Sequence, residues 1–290
     1  MTHPVPHPVH GIDHCFALVD DLDHAAAQYK ALGFTLSPRG THSAAKGTAN
    51  YTIMFPDDYF ELLGVVTPTD LNAPRREMLT TMGQGLHAIA CRIDDAEAAA
   101  GALGDLGIAT QGLGSFSRPV PLPDGSEGTA AFSTVSFTPE EVPLGMVFMC
   151  QHKTRETVWV PELLEHANTA CGLDAVLAIS DTPEEDAPRF ARLWADGAVH
   201  TEDGLTTIET GPNSAPLILA TADRMAALYP GIDLSATTKG AFTALRLKVR
   251  SLETLRHCLK DAHVNMFETA TGLAVGPEFS AGVLLEFVAT

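Results

Sequence analysis

The chain has 290 residues, 45% of them hydrophobic, enough for one large or two ordinary domains whose core needs neither disulfides nor a structural metal. Its 18 Lys+Arg stand against 36 Asp+Glu, a formal charge of −18 that opposes sequence-independent attraction to nucleic-acid phosphates or anionic membranes. The five cysteines lie mostly in or beside apolar strand-like runs and read as reduced thiols. With neither a signal-peptide pattern nor a membrane-length apolar run, the expectation is a cytoplasmic protein.

Residues 1–10, with His3, His7 and His10 spaced among Pro4, Pro6 and Pro8, read as a flexible tail. Period-two alternation predicts a strand over His14–Val19, followed by Asp20-Asp21 and a helix over Leu22–Leu32 closed by Gly33. Strands around Phe34–Ser37, Ala49–Phe55 and Tyr59–Val66 complete a βαβββ unit. The same order returns in the strand His87–Ile93, the turn Asp94-Asp95, a helix over Ala96–Leu106 closed by Gly107, and strands over Ala131–Phe137 and Gly145–Gln151. Gly112–Gly128, rich in Pro and Gly, reads as a loop inserted into this second unit. A histidine opens each repeated strand, so the alignment sets His14 against His87.

Lys153–Thr169 reads as a linker or a short helix between the halves. Beyond it, Gly172–Ser180, a helical run to Trp194, the strand Ala244–Val249, a helix over Leu252–Leu259 and the strand Gly282–Val288 continue the pattern in degraded form. Ala175 then falls opposite His14 and Thr243 opposite His87, and the counterpart of Glu61 lies in the apolar run Pro216–Ala220. The expected architecture is α+β, with four βαβββ modules in two pairs. The expected boundaries are a tail at 1–10, a functional N-terminal pair at 11–152, a linker at 153–169 and a degenerate C-terminal pair at 170–290.

Tandem βαβββ units with a His opening the first strand and a Glu on the last resemble the vicinal oxygen chelate superfamily of glyoxalase I, extradiol dioxygenases and bleomycin-binding proteins. Gly11-Ile12-Asp13-His14, Gly47-Thr48-Ala49-Asn50 leading to Tyr59-Phe60-Glu61-Leu62-Leu63, and Cys150-Gln151-His152 leading to Thr157-Val158-Trp159 are similar to the glyoxalase-like domain family. The resemblance implies that each module pair curls into an open, cup-shaped sheet with helices on the convex face and the ligand inside. It also implies metal ligands on the first and fourth strands of each module. Residue by residue these map to His14, Glu61 and His87, with Met149 at the fourth position, where a thioether is a poor partner for a hard or borderline ion; a register shift would present Gln151 or His152 instead.

Strand alternation, counted from the histidines, turns Phe16 and Leu18 inward with His14, Ile89 and Cys91 inward with His87, and Leu63 and Val65 inward with Glu61. Arg39 can fix a carboxylate and Asn50 can hold an amide or carbonyl, and the period-two face turns Thr48 with Asn50 towards the pocket. The structural alternative stands beside this: a strand-opening His bonding a neighbouring carbonyl, and Glu61 paired with His14 or Arg39. No nucleophile elbow, Walker loop or dinucleotide fingerprint is present, so no nucleotide cofactor is expected.

These features support a divalent-metal-dependent isomerase or lyase (Zn, Ni, Mn or Fe on His14, Glu61 and His87) acting on a small carbonyl or vicinal-oxygen compound, with Glu61 as ligand or base. The substrate-binding candidates are Arg39, Thr48, Asn50, Phe16, Met149 and Gln151. A metal-free sequestering protein and an extradiol-type dioxygenase are the alternatives. The implied partner is a small molecule, with neither nucleic acid nor membrane, and a homodimer as an option.

Overall fold

The computed structural model describes residues 5–122 and 125–290. The first half contains β1 (Ile12–Val19), α1 (Leu22–Ala31), β2 (Gly40–Thr41), β3 (Thr48–Met54), β4 (Tyr59–Val65), α2 (Ala73–Met82), β5 (Gly85–Arg92), α3 (Ala96–Asp105), β6 (Thr110–Pro121), β7 (Glu127–Phe137) and β8 (Met146–His152). The second half contains β9 (Ala170–Ile179), α4 (Pro183–Ala191), β10 (Val199–Glu202), β11 (Leu205–Ile208), β12 (Leu217–Ala220), α5 (Ala222–Leu228), β13 (Ala244–Val249), α6 (Leu252–Asp261), β14 (Met266–Glu268), β15 (Gly272–Val275) and β16 (Leu284–Ala289). Each half forms one eight-stranded mixed sheet, in the orders β2-β3-β4-β1-β5-β8-β7-β6 and β10-β11-β12-β9-β13-β16-β15-β14. The two orders are topologically identical. In each, two βαβββ modules join antiparallel through their first strands, and the fourth strand of each module lies parallel to its first.

The acidic turns of the repeat are helix caps. The Asp21 carboxylate accepts from the backbone N–H of Asp23 and His24 and starts α1; Asp95 accepts from Ala98 and starts α3. Ser251 does the same for α6 through Thr254. No helix is long and apolar enough to cross a membrane among the described residues. All five cysteines are free.

Four sequence expectations are corrected here. Residues 110–121 form a full strand, β6, paired with β7 in a long hairpin rather than a loop; Pro123 and Asp124 lie outside the described residues. Its glycines and prolines hid the strand because β6 is an edge, where Pro removes no ladder bond that the sheet needs. Phe34–Ser37 is not a strand, and the short edge strand comes later, at Gly40–Thr41. α2 was not anticipated, since none of its side chains is fully buried and it shows no apolar stripe. The tail is docked from His7 onward: His7 Nε2 lies 3.1 Å from the Arg192 carbonyl oxygen, Val9 is fully buried, its carbonyl accepts from Ala195, and the His10 N–H donates to Arg92. His3 lies outside the described residues.

Cys15, Ala17, Phe60, Leu62, Ile89, Cys91, Val147 and Met149 pack beneath the helices in a core continuous with that of the second half, where Phe34 stacks on Phe287. The opposite face carries Phe16, Leu18, Leu63 and Ala88 into the first cup. The second cup is plugged: Met225 of α5 and Tyr229 just beyond it pack on Ala175, Leu177, Ile218, Ala244 and Leu284. Glu286 lies inside that plug with four partners. Arg246 and Tyr229 donate to Oε2, and Thr269 and Thr271 donate to Oε1.

Candidate active site

Two β-bulges set the geometry of the first cup. The pairing of β1 with β5 skips Asp13 between Ile12 and His14, and skips His87 between Leu86 and Ala88. The extra residue at Asp13 keeps Ile12 and Cys15 both on the core face, while His14 and Phe16 line a cavity. The equivalent bulge in the second half falls at Asp174, between Leu173 and Ala175. This supports the expected match of His14 with Ala175.

The bulge at His87 breaks the other alignment. Between His14 and Asp20 there are five residues, but six separate His87 from Asp94. Counting back from the helix caps Asp21 and Asp95 therefore places Ala88, not His87, opposite His14. Three registers along the ladder from the His14–Ala90 pair, roughly 10 Å at 3.3 Å per residue, His87 has its Nδ1 2.7 Å from the carbonyl oxygen of Gly85. Its buried Nε2 has no partner, and it does not line the cavity. Burial lowers its pKa, so the ring is neutral.

The cavity, of ≈ 190 Å³, has a polar floor. His14 and Glu61 form that floor, and behind His14, outside the cavity lining, its Nδ1 lies 2.7 Å from Asp13 Oδ2, with His152 Nε2 2.9 Å from the same oxygen. Burial by itself would raise the Asp13 carboxyl, but the hydrogen bonds and charge of the two imidazoles hold it well below the usual carboxylate range. An ionised Asp13 accepts, so His14 donates from Nδ1 and its Nε2 is left facing Glu61 Oε2 at 3.9 Å. Tyr59 stacks on the His14 ring at 4.2 Å, and Trp159 covers Tyr59 and His152 edge-on. Residues 153–169 therefore close the floor of the cup, with the Trp159 indole N–H donating to Phe55. Glu61 is held from the other side by the Asn50 amide, which donates to Oε1 at 2.7 Å.

The walls are cationic. Lys46, Arg75 and Arg118 line the cavity with His42, Thr48, Thr52, Phe116, Phe132 and Phe148. Lys46 Nζ sits 3.2 Å from the centroid of Phe116. Burial, helped by nearby Arg75, pulls Lys46 down to about 8, so it remains largely protonated at neutral pH. Burial also takes His42 down to about 4, making it a neutral imidazole, with Nδ1 2.7 Å from Thr48 Oγ1.

The structure thus brings together His14, Glu61, Phe16, Thr48 and Asn50 and leaves the other candidates elsewhere. Arg39 lies on the surface, 3.7 Å from Asp23. Met149 is fully buried in the core beneath the helices, because the face of β8 that reaches the cavity carries Phe148 and Cys150. Gln151 accepts from the Ala96 N–H at the start of α3. Ile89 and Cys91, expected inside the cup, also face the core. Asp13, Arg75 and Arg118 were missed as site residues. Asp13 stood in the Gly11-Ile12-Asp13-His14 motif, but plain alternation puts the neighbour of an inward His on the other face.

A divalent metal at the strand positions used by the superfamily does not fit this donor set. His14 and Glu61 occupy two of the four positions, but Ala88 takes the third. Phe148, which pairs with Ala90 as Glu61 pairs with Phe16, takes the fourth. One imidazole and one carboxylate fall short of the three protein ligands of catalytic zinc sites or of a facial triad. A separate trio of donor atoms, from Asp13, His14 and His152, lies within 4.8 Å of one another.

Paired βαβββ modules curling round such a cup define a protein of the vicinal oxygen chelate fold. The chain belongs to the glyoxalase-like domain family, whose model matches residues 12–196 and so extends past the first sheet through β9 and α4. A hypothetical protein from Staphylococcus aureus is similar over 96% of this chain and 99% of its own, with 15% identity and a TM-score of 0.66. A xylose isomerase-like TIM barrel/4-hydroxyphenylpyruvate dioxygenase fusion protein matches at 12% identity and a TM-score of 0.56; 99% of this chain aligns with 50% of that one. A variant of homoprotocatechuate 2,3-dioxygenase from B. fuscum, in complex with HPCA, matches at 13% identity and a TM-score of 0.55, over 99% of this chain and 73% of that one. At these identities the neighbours share the fold. No curated protein matches the chain.

Proposed function

We propose that the N-terminal cup binds a small carbonyl or vicinal-oxygen compound and moves a proton on it, as an isomerase or lyase, with Glu61 as the base and His14 as its partner. The observation that carries this reading is the Asp13–His14–Glu61 line: a buried carboxylate fixes the imidazole tautomer and presents Nε2 to a second carboxylate inside an aromatic cavity. Asn50 orients Glu61 through Oε1, so Oε2 is the oxygen available to take the proton. His14 Nε2 can accept a proton from the substrate or, once protonated, stabilise an enolate oxygen.

The test is hydrogen–deuterium exchange in D2O, followed by NMR, on a panel of small α-hydroxycarbonyl and α-dicarbonyl compounds. At least one compound is expected to exchange, and Glu61→Gln and His14→Ala are expected to slow it by ~10²-fold or more. Binding without exchange would leave a sequestering protein, and equal exchange in wild type and both variants would overturn the assignment.

A second reading is favoured by the Asp13, His14 and His152 trio, two imidazoles and a carboxylate, which has the donor chemistry for Zn, Ni, Mn or Fe. Stoichiometric metal in tag-free protein, lost in His152→Ala and kept in His87→Ala, would carry it.

A further inference from the structure

Lys46, Arg75 and Arg118 converge on one cavity, with no carboxylate among the described residues in contact with them. Elsewhere Arg192 pairs with Glu141, Arg246 with Glu286, Arg250 with Glu165 and Arg256 with Glu268. Among the described residues, the three cavity cations make no ion pair within 4.0 Å, although Asp and Glu outnumber Lys and Arg twofold in the chain. Each is half-buried, and the buried Nε of Arg75 has no hydrogen-bond partner. The carboxylate they share is Glu61, at electrostatic range, and Glu61 is committed to Asn50 and His14. Burial lowers the pKa of all three, as a cavity short of negative charge requires.

The cations come from unrelated elements. Lys46 sits in the loop before β3, held by Asn72, whose Nδ2 donates to the Lys46 carbonyl. Arg75 is on α2, and Arg118 on edge strand β6. Arg118 crosses to the opposite edge of the sheet: a Cβ at Gly40 would stand 2.8 Å from its Cζ. β2 and β6 thus meet around the guanidinium, and the missing side chain at Gly40 makes the room.

We propose that Lys46, Arg75 and Arg118 form an oxyanion subsite, which takes the carboxylate or phosphate group of a ligand whose reactive carbons lie over His14 and Glu61. Two guanidinium forks and an ammonium match the planar or tetrahedral oxygens of such a group. A positive cavity on an acidic surface also draws anions inward. The inference rests on the reading of this cup as the functional site but not on its proton chemistry.

Calorimetric titration of the full chain with inorganic phosphate, sulfate, oxalate and acetate tests it and separates phosphate from carboxylate sources. At least one is expected to bind saturably, with affinity lowered ~10-fold or more in Arg118→Gln and in Arg75→Gln and unchanged in Arg39→Gln. Arg118→Lys should fall between wild type and Arg118→Gln, and melting curves would show that the variants fold. Glu61→Gln, which should lose proton exchange, is expected to bind the anion more tightly because a competing charge is gone. Anion binding without exchange would therefore defeat the proposed reaction alone. Saturation by none of the four anions, or unaltered binding in an Arg75→Gln/Arg118→Gln double variant, would overturn the subsite.

Discussion

Asp13 Oδ2 lies between two imidazoles behind the floor of the cavity, and its charge decides which nitrogen of His14 the ligand meets. Asp13→Asn keeps the shape and an oxygen that both imidazoles can reach, but it removes the charge that holds His14 as an Nδ1 donor and His152 beside it in a buried setting. We expect a loss of ~2–4 kcal/mol at pH 7 in urea unfolding, together with a fall of ~10²-fold or more in exchange because the tautomer is no longer fixed. The folded Asp13 pKa lies below its unfolded value, so its contribution is full above the ordinary carboxylate range and fades as the pH falls through it. The gap between wild type and Asp13→Asn should therefore be widest above about pH 5 and close in stronger acid. An equal gap at every pH would assign the cost to packing alone. His14, Glu61, Thr48, Asn50 and Phe16 could be placed in the cavity from alternation and the motif. Asp13 and His87 could not, because a bulge shifts the face of every residue beyond it and has no reliable signature in a single chain.

At the scale of elements, the paired modules are readable wherever a strand buries one face completely or a helix starts on an acidic cap, as at β13, found at the expected Ala244–Val249 with Leu245, Leu247 and Val249 buried. What escaped was the exposed rim. α2 buries no residue fully and β6 is mostly solvent-facing, so neither carries a hydrophobic period, yet they supply Arg75 and Arg118. Arg39, in the glycine-punctuated stretch that leads into the Glu61 motif, is the cation the sequence offers, whereas cavity walls are assembled by topology. The closure of β2 onto β6 gives a further prediction. In Gly40→Ala the new methyl would lie 2.2 Å from Asn50 Oδ1 and 2.8 Å from Arg118 Cζ. The clash should cost about 1–3 kcal/mol of stability and displace Arg118, weakening phosphate or oxalate binding by roughly 10-fold. Gly104→Ala on α3, where a Cβ meets nothing within 4 Å, is the control and should leave anion binding unchanged with stability equal to or above that of wild type.

At the scale of the molecule, the two halves repeat one topology but share one core, and backbone bonds cross between them, as from Phe242 N–H to the Leu86 carbonyl and from Gly145 N–H to the Gly240 carbonyl. The plugged second cup explains why fold and ligand chemistry separated there: Tyr229 and Arg246 occupy Glu286 directly. Asp58, in the turn between β3 and β4, joins the halves by accepting the Leu173 N–H of β9 at 3.1 Å. Burial pushes its carboxyl up to about 7, only partly offset by that hydrogen bond and by Lys248 and Arg92. A folded pKa above the unfolded 3.8 means that stability is greatest below the unfolded value, declines as the pH rises and levels off above about 7. Asp58→Asn keeps an oxygen for the Leu173 N–H and removes the charge, so it should be more stable than wild type at pH 8. Between pH 5.5 and 8 wild type should lose roughly 2 kcal/mol relative to the variant, at 1.36 kcal/mol per pH unit up to the folded pKa. Urea unfolding at the two pH values measures it directly. Parallel curves for the two proteins would show that Asp58 is ionised throughout, held by Lys248 and Arg92 across the junction of the halves.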